Sequence, residues 1–511
     1  MPVARSSAIA LIGMRGEIVE IEADLAGGIP AFNLIGLPDT ALGEARQRVR
    51  SAAANSGCDL PNKKFTVNLS PAALPKHGSG FDLGIALAML AAGGLVPAAS
   101  VESVVHLGEL GLDGRVRGVP GVLPAVLAAR RAGCRTVMVP AVAAKEASLV
   151  EGIRVVPIAT LRAAAIWHGA ELEAVDEPLE AITAPTSEAV AEPALDLADI
   201  VGNDEAIRAL TVAAAGGHHL FLLGPPGAGK TMLATRLPGI LPELDADAAI
   251  ECASVRSLSG IPVHALTLRP PFEAPHHTAS TPAIVGGGSG VIRPGAIARA
   301  AHGVLFLDEA PEFSRVTLDA LRQPLETGVI TVQRANATAR FPANVQLVLA
   351  ANPCPCGRLG EAECSCTPMA RRRYLGRLSG PLLDRVDLQL TVRRITAAGL
   401  RTSGDPSGRT TTAVAADSVR AARSAAAERL SGTPWRRNAD VPGSWLRASA
   451  RRPSPAALAV LDRALERGAI TMRGYDRVLR AAWTIADIDG GGSPSRSEVS
   501  EALGYRTVAA A

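Results

Sequence analysis

The residues able to do chemistry concentrate in the middle of the chain. Gly224-Pro225-Pro226-Gly227-Ala228-Gly229-Lys230-Thr231 satisfies G-x-x-x-x-G-K-[ST], a spacing suited to phosphate. Glycines let backbone N–H groups curl around phosphate oxygens where a side chain would collide. Lys230 is then placed to reach the β- and γ-phosphates of ATP, and the Thr231 hydroxyl to ligate Mg2+. Leu220–Leu223 supplies a strand before the loop and Met232–Leu237 a helix after it, so the expected cradle runs from Gly224 to Met232. Asp308 lies 78 residues beyond Lys230, at the end of the apolar run Val304–Leu307 and next to Glu309. After a lone strand, such a pair is commonly a helix cap. Behind a P-loop it is the partner the chemistry requires: Asp308 holds Mg2+ through water, and Glu309 orients and deprotonates the attacking water.

Two further sets stand out. Cys354, Cys356, Cys364 and Cys366 form C-x-C-x7-C-x-C, four soft ligands on one loop. Tetrahedral Zn2+ wants such a closed thiolate set, although the C-x-C spacing is tighter than the usual knuckle and four reduced thiols are the alternative. Gly328–Ala337 reads as a hairpin carrying Arg334, ahead of the apolar strand Val345–Ala350 and Asn352.

These residues need elements to hold them. Residues 1–170 alternate strand-like runs (Glu17–Ala23, Phe65–Leu69, Thr136–Pro140) with Ala-rich helical runs (Leu42–Ser56, Leu83–Leu90, Pro124–Ala132), predicting an α/β or α+β domain. Residues 171–195, acidic and interrupted by Pro178, Pro185 and Pro193, read as a linker. A second α/β pattern runs over 196–392, with an insertion near 265–300 and the Cys-rich loop at 354–366. Residues 393–511 complete the chain as a helical lid. Within it, the Thr/Ser/Ala-rich stretch 402–427 is expected to be a mobile connection or a loosely held helix.

Bulk composition limits the function classes. With 48% hydrophobic and 20% charged residues the chain is globular, and no stretch has the pattern of an export signal. The uncharged run Leu83–Val101 is long enough to span a bilayer, but its Gly93-Gly94 and Pro97 favour a buried helix ending near Gly93. The expectation is a cytoplasmic chain whose seven cysteines are not structural disulfides. A net charge of +3 is uninformative, but residues 171–205 hold eleven acids and no base, whereas 393–480 hold seventeen arginines and seven acids. The basic third suits either an anionic partner or a solvated helical surface.

Taken together, Gly224–Thr231, Ala274-Pro-His276-His277-Thr278, Gly286–Gly288, Val304–Glu309, Asn352-Pro-Cys-Pro-Cys-Gly357 and Arg473-Gly-Tyr-Asp-Arg477-Val resemble the YifB/ComM magnesium-chelatase-like AAA+ ATPases, and Asn33-Leu-Ile-Gly-Leu-Pro-Asp39 resembles that family's N-terminal signature. The resemblance implies a homohexameric ring, driven by Mg·ATP, that moves on DNA and performs branch migration during recombination of transforming DNA. A magnesium-chelatase-like ring that remodels a protein or metallocofactor partner is the alternative. By the same resemblance Asn352 is the sensor that helps place the lytic water, and Arg385 in Ser379–Asp387 is an arginine finger for a neighbouring subunit. Arg473 is the sensor arginine of the lid, with Arg477 as its competitor. Arg334 would track DNA phosphates in the ring's pore, and His276 and His277 belong either to a second pore insertion or to ordinary structure. The first domain resembles the Lon protease fold, yet Asp82 stands where that fold carries a Ser nucleophile and Leu123 where it carries the Lys base, with Ser79 nearby but out of register. Covalent catalysis then has no starting point. The domain is expected to be a structural or DNA-guiding collar.

Overall fold

A computed structural model describes residues 3–36, 43–174, 195–288, 292–334, 337–359, 363–395, 409–448 and 451–507. Most of the expected linker, Leu37–Asp39 of the N-terminal signature and the tip of the hairpin (335–336) lie outside the described residues. Among those described, no helix is long and apolar enough to cross a membrane.

The first domain grows from a hairpin. β1 (Ala4–Ile12) and β2 (Arg15–Ala26) pair antiparallel, and β2 buries every second residue from Val19 to Leu25 while Glu20, Glu22 and Asp24 turn outward. β3 (Ala31–Ile35) and β4 (Lys64–Ser70) extend the sheet on one side. On the other, β5 (Val105–His106) leads to β8 (Thr136–Pro140) and β9 (Arg154–Ile158), giving the order β3-β4-β2-β1-β5-β8-β9. The small hairpin of β6 (Glu109–Leu110) and β7 (Val116–Arg117) stands apart. The apolar run near Leu83 is a helix, Asp82–Ala92, whose residues from Asp82 to Leu90 are all buried against the sheet. A helix that is apolar all round belongs in a core.

The second domain is organised by a parallel sheet. β10 (Leu220–Leu223), β11 (Phe272–Glu273), β12 (Val304–Leu307), β15 (Gln346–Ala351) and β16 (Leu388–Thr391) lie in the order β11-β12-β15-β10-β16. β12 and β15 are buried along their whole length, as strands covered on both faces must be. Their side chains alternate between two cores. Leu220, Leu222, Val304, Phe306, Val348 and Ala350 face one that also holds Val478, Leu479 and Trp483 of the C-terminal helices. Phe221, Leu305, Leu307, Leu347 and Leu349 face the other, which includes Ile330 and Phe341 of the antiparallel hairpin β13 (Val329–Arg334) and β14 (Ala337–Pro342). The C-terminal helices and the hairpin therefore sit on opposite faces of one sheet. Ile12 and Met14, flanking the β1–β2 turn, pack against the hairpin side and tie the first domain to it.

Of the two expectations for 402–427, the structure shows the helix from Thr412 onward, and holds it firmly rather than loosely. Thr412–Arg429 is a continuous helix, N-capped by Thr411 and burying Ala415, Val419, Ala422 and Ala426 at helical spacing. Its alanines are small because Asp204–Gly216 packs close by, not because the segment is loose. Residues 402–408 lie outside the described residues.

Candidate nucleotide site

Parallel strands deliver the residues beyond their C-terminal ends to one edge of the sheet. Register aligns Leu223 with Ala351, and Leu307 with Leu349, so Gly224 emerges level with Asn352 and Asp308 at the same end of the neighbouring strand. Within the loop, Gly227 and Gly229 adopt φ of +75° and +91°, the left-handed region that favours glycine. The Lys230 ammonium, largely buried, donates to the carbonyls of Gly224 (2.7 Å) and Pro225 (3.0 Å) and to Asn352 Oδ1 (3.1 Å). Burial lowers its pKa, opposed by the nearby carboxylates of Asp308 and Glu309. Thr231 Oγ1 lies 2.9 Å from Asp308 Oδ2. This hydroxyl and carboxylate pair could hold Mg2+, Thr231 as a direct ligand and Asp308 through a water. Met232, exposed on the first helical turn after the loop, leaves the approach open.

Glu309 has a left-handed backbone (φ +48°), uncommon for a residue with a side chain. Its carboxylate, half exposed, is met by His277 Nδ1 at 3.3 Å. The sequence left His276 and His277 without a firm place. The structure sets their rings 4.1 Å apart, tilted by 33°, and puts the second on the expected base. The only signal available was the motif Ala274–Thr278 itself.

Arg385 and Arg473 are not at this edge. Arg385 precedes β16, and its guanidinium bonds the Pro381 carbonyl at 2.6 Å and the Glu326 carboxylate. With Arg473, Arg477, Arg480, Asp384 and Glu326 it lines a cleft at the opposite end of the strands. β16 runs beside β10 from Leu388↔Leu220 to Thr391↔Leu223, which separates the cleft from the P-loop by about 13 Å at ~3.3 Å per residue. Arg477 is engaged by Asp387 and by the Arg385 carbonyl (3.0 Å). Arg473 is exposed, with no hydrogen bond or ion pair among the described residues. Asp387, buried, also lies 3.4 Å from His218 Nδ1, and Arg477, His218 and His219 hold it well below the usual carboxylate range despite its burial.

Known proteins share this geometry's sequence. The family described as magnesium chelatase, subunit ChlI, matches residues 196–400, with companion matches of the same subunit at 21–143 and of its C-terminal part at 409–506. The competence protein ComM of Haemophilus influenzae is 42% identical over 98% of this chain and 96% of its own. YifB of Escherichia coli, itself uncharacterised, is 39% identical over the same shares. The chain belongs to the YifB/ComM family of magnesium-chelatase-like AAA+ ATPases. Family membership implies ATP and Mg2+ as the working pair. A shorter likeness joins the chain to the Lon protease of Mycolicibacterium smegmatis, 32% identical over 143 residues that make up 26% of this chain and 18% of the protease.

For a YifB/ComM chain the Lon-like residues are informative. Asp82, fully buried, receives Arg48 Nε at 2.6 Å and Nη2 at 3.0 Å, and its Oδ2 also accepts the Leu110 N–H. Ser79 bonds Glu109, and Leu123 is buried in the core. The position resembling a nucleophile is thus a structural ion pair. Lys76, unremarked in the sequence, is fully buried with its ammonium donating to the carbonyls of Gly36, Leu69 and Pro71, a tie between strand ends.

In the family's hairpin, Arg334 is exposed beside the tip and pairs in register with Ala337. Glu326, an acid that could otherwise pair with Arg334 across the hairpin, is bound to Arg385. The four cysteines come together: Cys354 Sγ lies 3.4 Å from Cys356 and 3.9 Å from Cys364, those two are 3.7 Å apart, and all four Sγ atoms fall within 4.8 Å of one another. A tetrahedron with Zn–S of ~2.3 Å has sulfurs about 3.8 Å apart, so the set fits zinc. All seven cysteines are unbridged.

Proposed function

We propose that the chain is a ring-forming, ATP-hydrolysing motor that acts on DNA, with branch migration in recombination as its task. The observation that carries the ring is the arginine cleft. Arg385 and Arg473 sit a strand-length from their own P-loop, so the phosphate they can reach belongs to a neighbour, and a closed ring satisfies every site. A homohexamer is the assembly this family reading implies.

Each residue then has a task. The backbone of Gly224–Thr231 wraps the phosphates while Lys230 leaves its carbonyl partners to neutralise the β- and γ-oxygens. Thr231 and Asp308 hold Mg2+, which supplies charge neutralisation and orientation of the phosphates. Glu309 takes the proton of the attacking water and Asn352 positions that water. His277 holds Glu309 aside until nucleotide and neighbour are in place. Arg385, with Arg473, stabilises charge on the departing phosphoryl group across the interface. Cys354, Cys356, Cys364 and Cys366 hold one structural Zn2+.

DNA as the substrate draws support from Arg334 and from the competence name of the Haemophilus relative. Remodelling of a protein or metallocofactor partner is the second reading, favoured by the magnesium chelatase description. Hydrolysis rate measured with and without single-stranded and branched DNA separates them. Stimulation supports the DNA motor, and indifference to every DNA form defeats it.

A further inference from the structure

The Cys loop is built onto the nucleotide site. Asn352, which hydrogen-bonds Lys230, is only one residue removed from Cys354, itself completely buried. Gly357, bonded through its N–H to the Cys354 carbonyl, has φ +74°, and a Cβ there would come within 2.6 Å of Pro226 Cγ and 2.7 Å of Cδ. Pro226 is a member of the phosphate loop, so the Cys loop packs against that wall with no space to spare. After Cys366, whose carbonyl accepts Arg371 Nε at 3.2 Å, the chain enters the helix Pro368–Leu375, whose buried Tyr374 has its hydroxyl beside the Asn352 backbone. Asn352 is thus gripped from both ends of one loop, whose closure depends on four sulfurs.

We infer that metal binding by Cys354, Cys356, Cys364 and Cys366 controls the nucleotide site, with Zn2+ as the ion. The inference rests on the ATPase and zinc readings above and adds the link between them. The nine residues between Cys354 and Cys364 have little apolar material with which to close a loop, so the ion supplies the closure that burial does not. With zinc in place, Gly357 buttresses Pro226 and Asn352 is aimed at Lys230. Without it, four thiols need not converge, the buttress relaxes, and both the phosphate loop and the sensor lose their setting. No redox step is involved.

Three measurements on the full-length protein test this. Anaerobically prepared protein should contain about one Zn2+ per chain. Stripping with a zinc-selective chelator in excess Mg2+ should weaken binding of a fluorescent ATP analogue about 10-fold or more, the range seen when support around a site is lost. Zn2+ should restore binding where further Mg2+ does not. Gly357→Ala offers an arm that leaves the ligands intact: zinc content should stay unchanged while nucleotide affinity falls. Far-ultraviolet circular dichroism of stripped protein and of Gly357→Ala, matching the starting protein, keeps unfolding out of the comparison. Absence of zinc, or zinc whose removal leaves nucleotide affinity unaltered, overturns the inference. Zinc-loaded protein that binds the analogue but never hydrolyses ATP strikes the ATPase reading instead, and the affinity measurements still decide the link.

Discussion

At the scale of single residues, the nucleotide site divides holding from activating. Lys230 is retained by three oxygen partners, so removing its ammonium removes both the loop's internal tie and the charge that meets phosphate. Lys230→Ala is expected to abolish nucleotide binding. Glu309→Gln is expected to bind ATP normally and hydrolyse it about 10²–10⁴-fold more slowly, the usual cost of losing a general base. Affinity and turnover measured on both variants check the division, and ordinary turnover in Glu309→Gln would assign the base elsewhere. Buried histidines give a second residue-scale expectation. Ser6 Oγ, His106, His168 and Ser100 Oγ form one hydrogen-bonded chain at 2.9, 3.1 and 2.9 Å. Burial pushes His106 down to about 3 and His168 to about 4, so both are neutral at pH 7. An unfolded chain takes up these protons near pH 6.5 and the folded one does not. The stability contribution is therefore complete above pH 6.5 and falls as pH drops towards 4. His106 alone should cost about 2 kcal/mol at pH 5. Thermal melts at pH 7 and 5 at constant ionic strength measure it. His106→Asn should flatten the dependence, and an equally steep loss in that variant would place the acid sensitivity elsewhere.

At the scale of elements, the proposed motor would couple nucleotide to substrate through the hairpin. β13 and β14 lie between Asp308-Glu309 and Asn352 in the chain and pack on the face of the sheet away from the lid. Shifts at the nucleotide edge can therefore move the hairpin, while Arg334 near its tip stays clear of nucleotide. Arg334→Ala is expected to weaken DNA binding and DNA-stimulated hydrolysis and to leave basal hydrolysis nearly intact. The slope of log affinity against log salt should fall by about 0.9 per lost contact on duplex, or 0.7 on single strands, times the subunits engaged. Because Glu326 is bound to Arg385, a local ion pair no longer competes to explain Arg334. An unchanged salt slope with full DNA stimulation would remove the pore role and favour remodelling of a protein partner.

At the scale of the whole molecule, the proposed ring would have each chain carry two incomplete halves of a catalytic centre. The phosphate loop occupies one edge of the parallel sheet and the arginine cleft the other, with β10 and β16 between them. Arg385→Ala should hydrolyse ATP poorly yet regain part of its activity when mixed with Lys230→Ala. The latter cannot bind nucleotide but still presents an intact Arg385 to its neighbour. Activity plotted against mixing ratio should pass through a maximum. Demonstrable co-assembly without any recovery would refute the arrangement across subunits.

The reach of each interaction decides how much of this molecule is legible in its sequence. Gly224–Thr231, Asp308-Glu309 and the four cysteines can be read there because their chemistry is local. Positive φ, strand ends and ligand spacing are set within a few residues, and burial on both faces makes parallel strands plain apolar runs. Asp82 already spoke against proteolysis, but that it pairs with Arg48 is a fact of two helices meeting, and no spacing encodes it. The same holds for Lys76 on its three carbonyls, for His277 on Glu309 and for Gly357 on Pro226. A buried polar contact between distant segments has no periodicity to betray it. Nor does an arginine's type disclose which edge of a sheet it will occupy. Strand order decided that Asn352 stands beside Lys230 while Arg385 and Arg473 face away. A strand parallel to β10 carries the residues before it to one end of the sheet and the residues after it to the other.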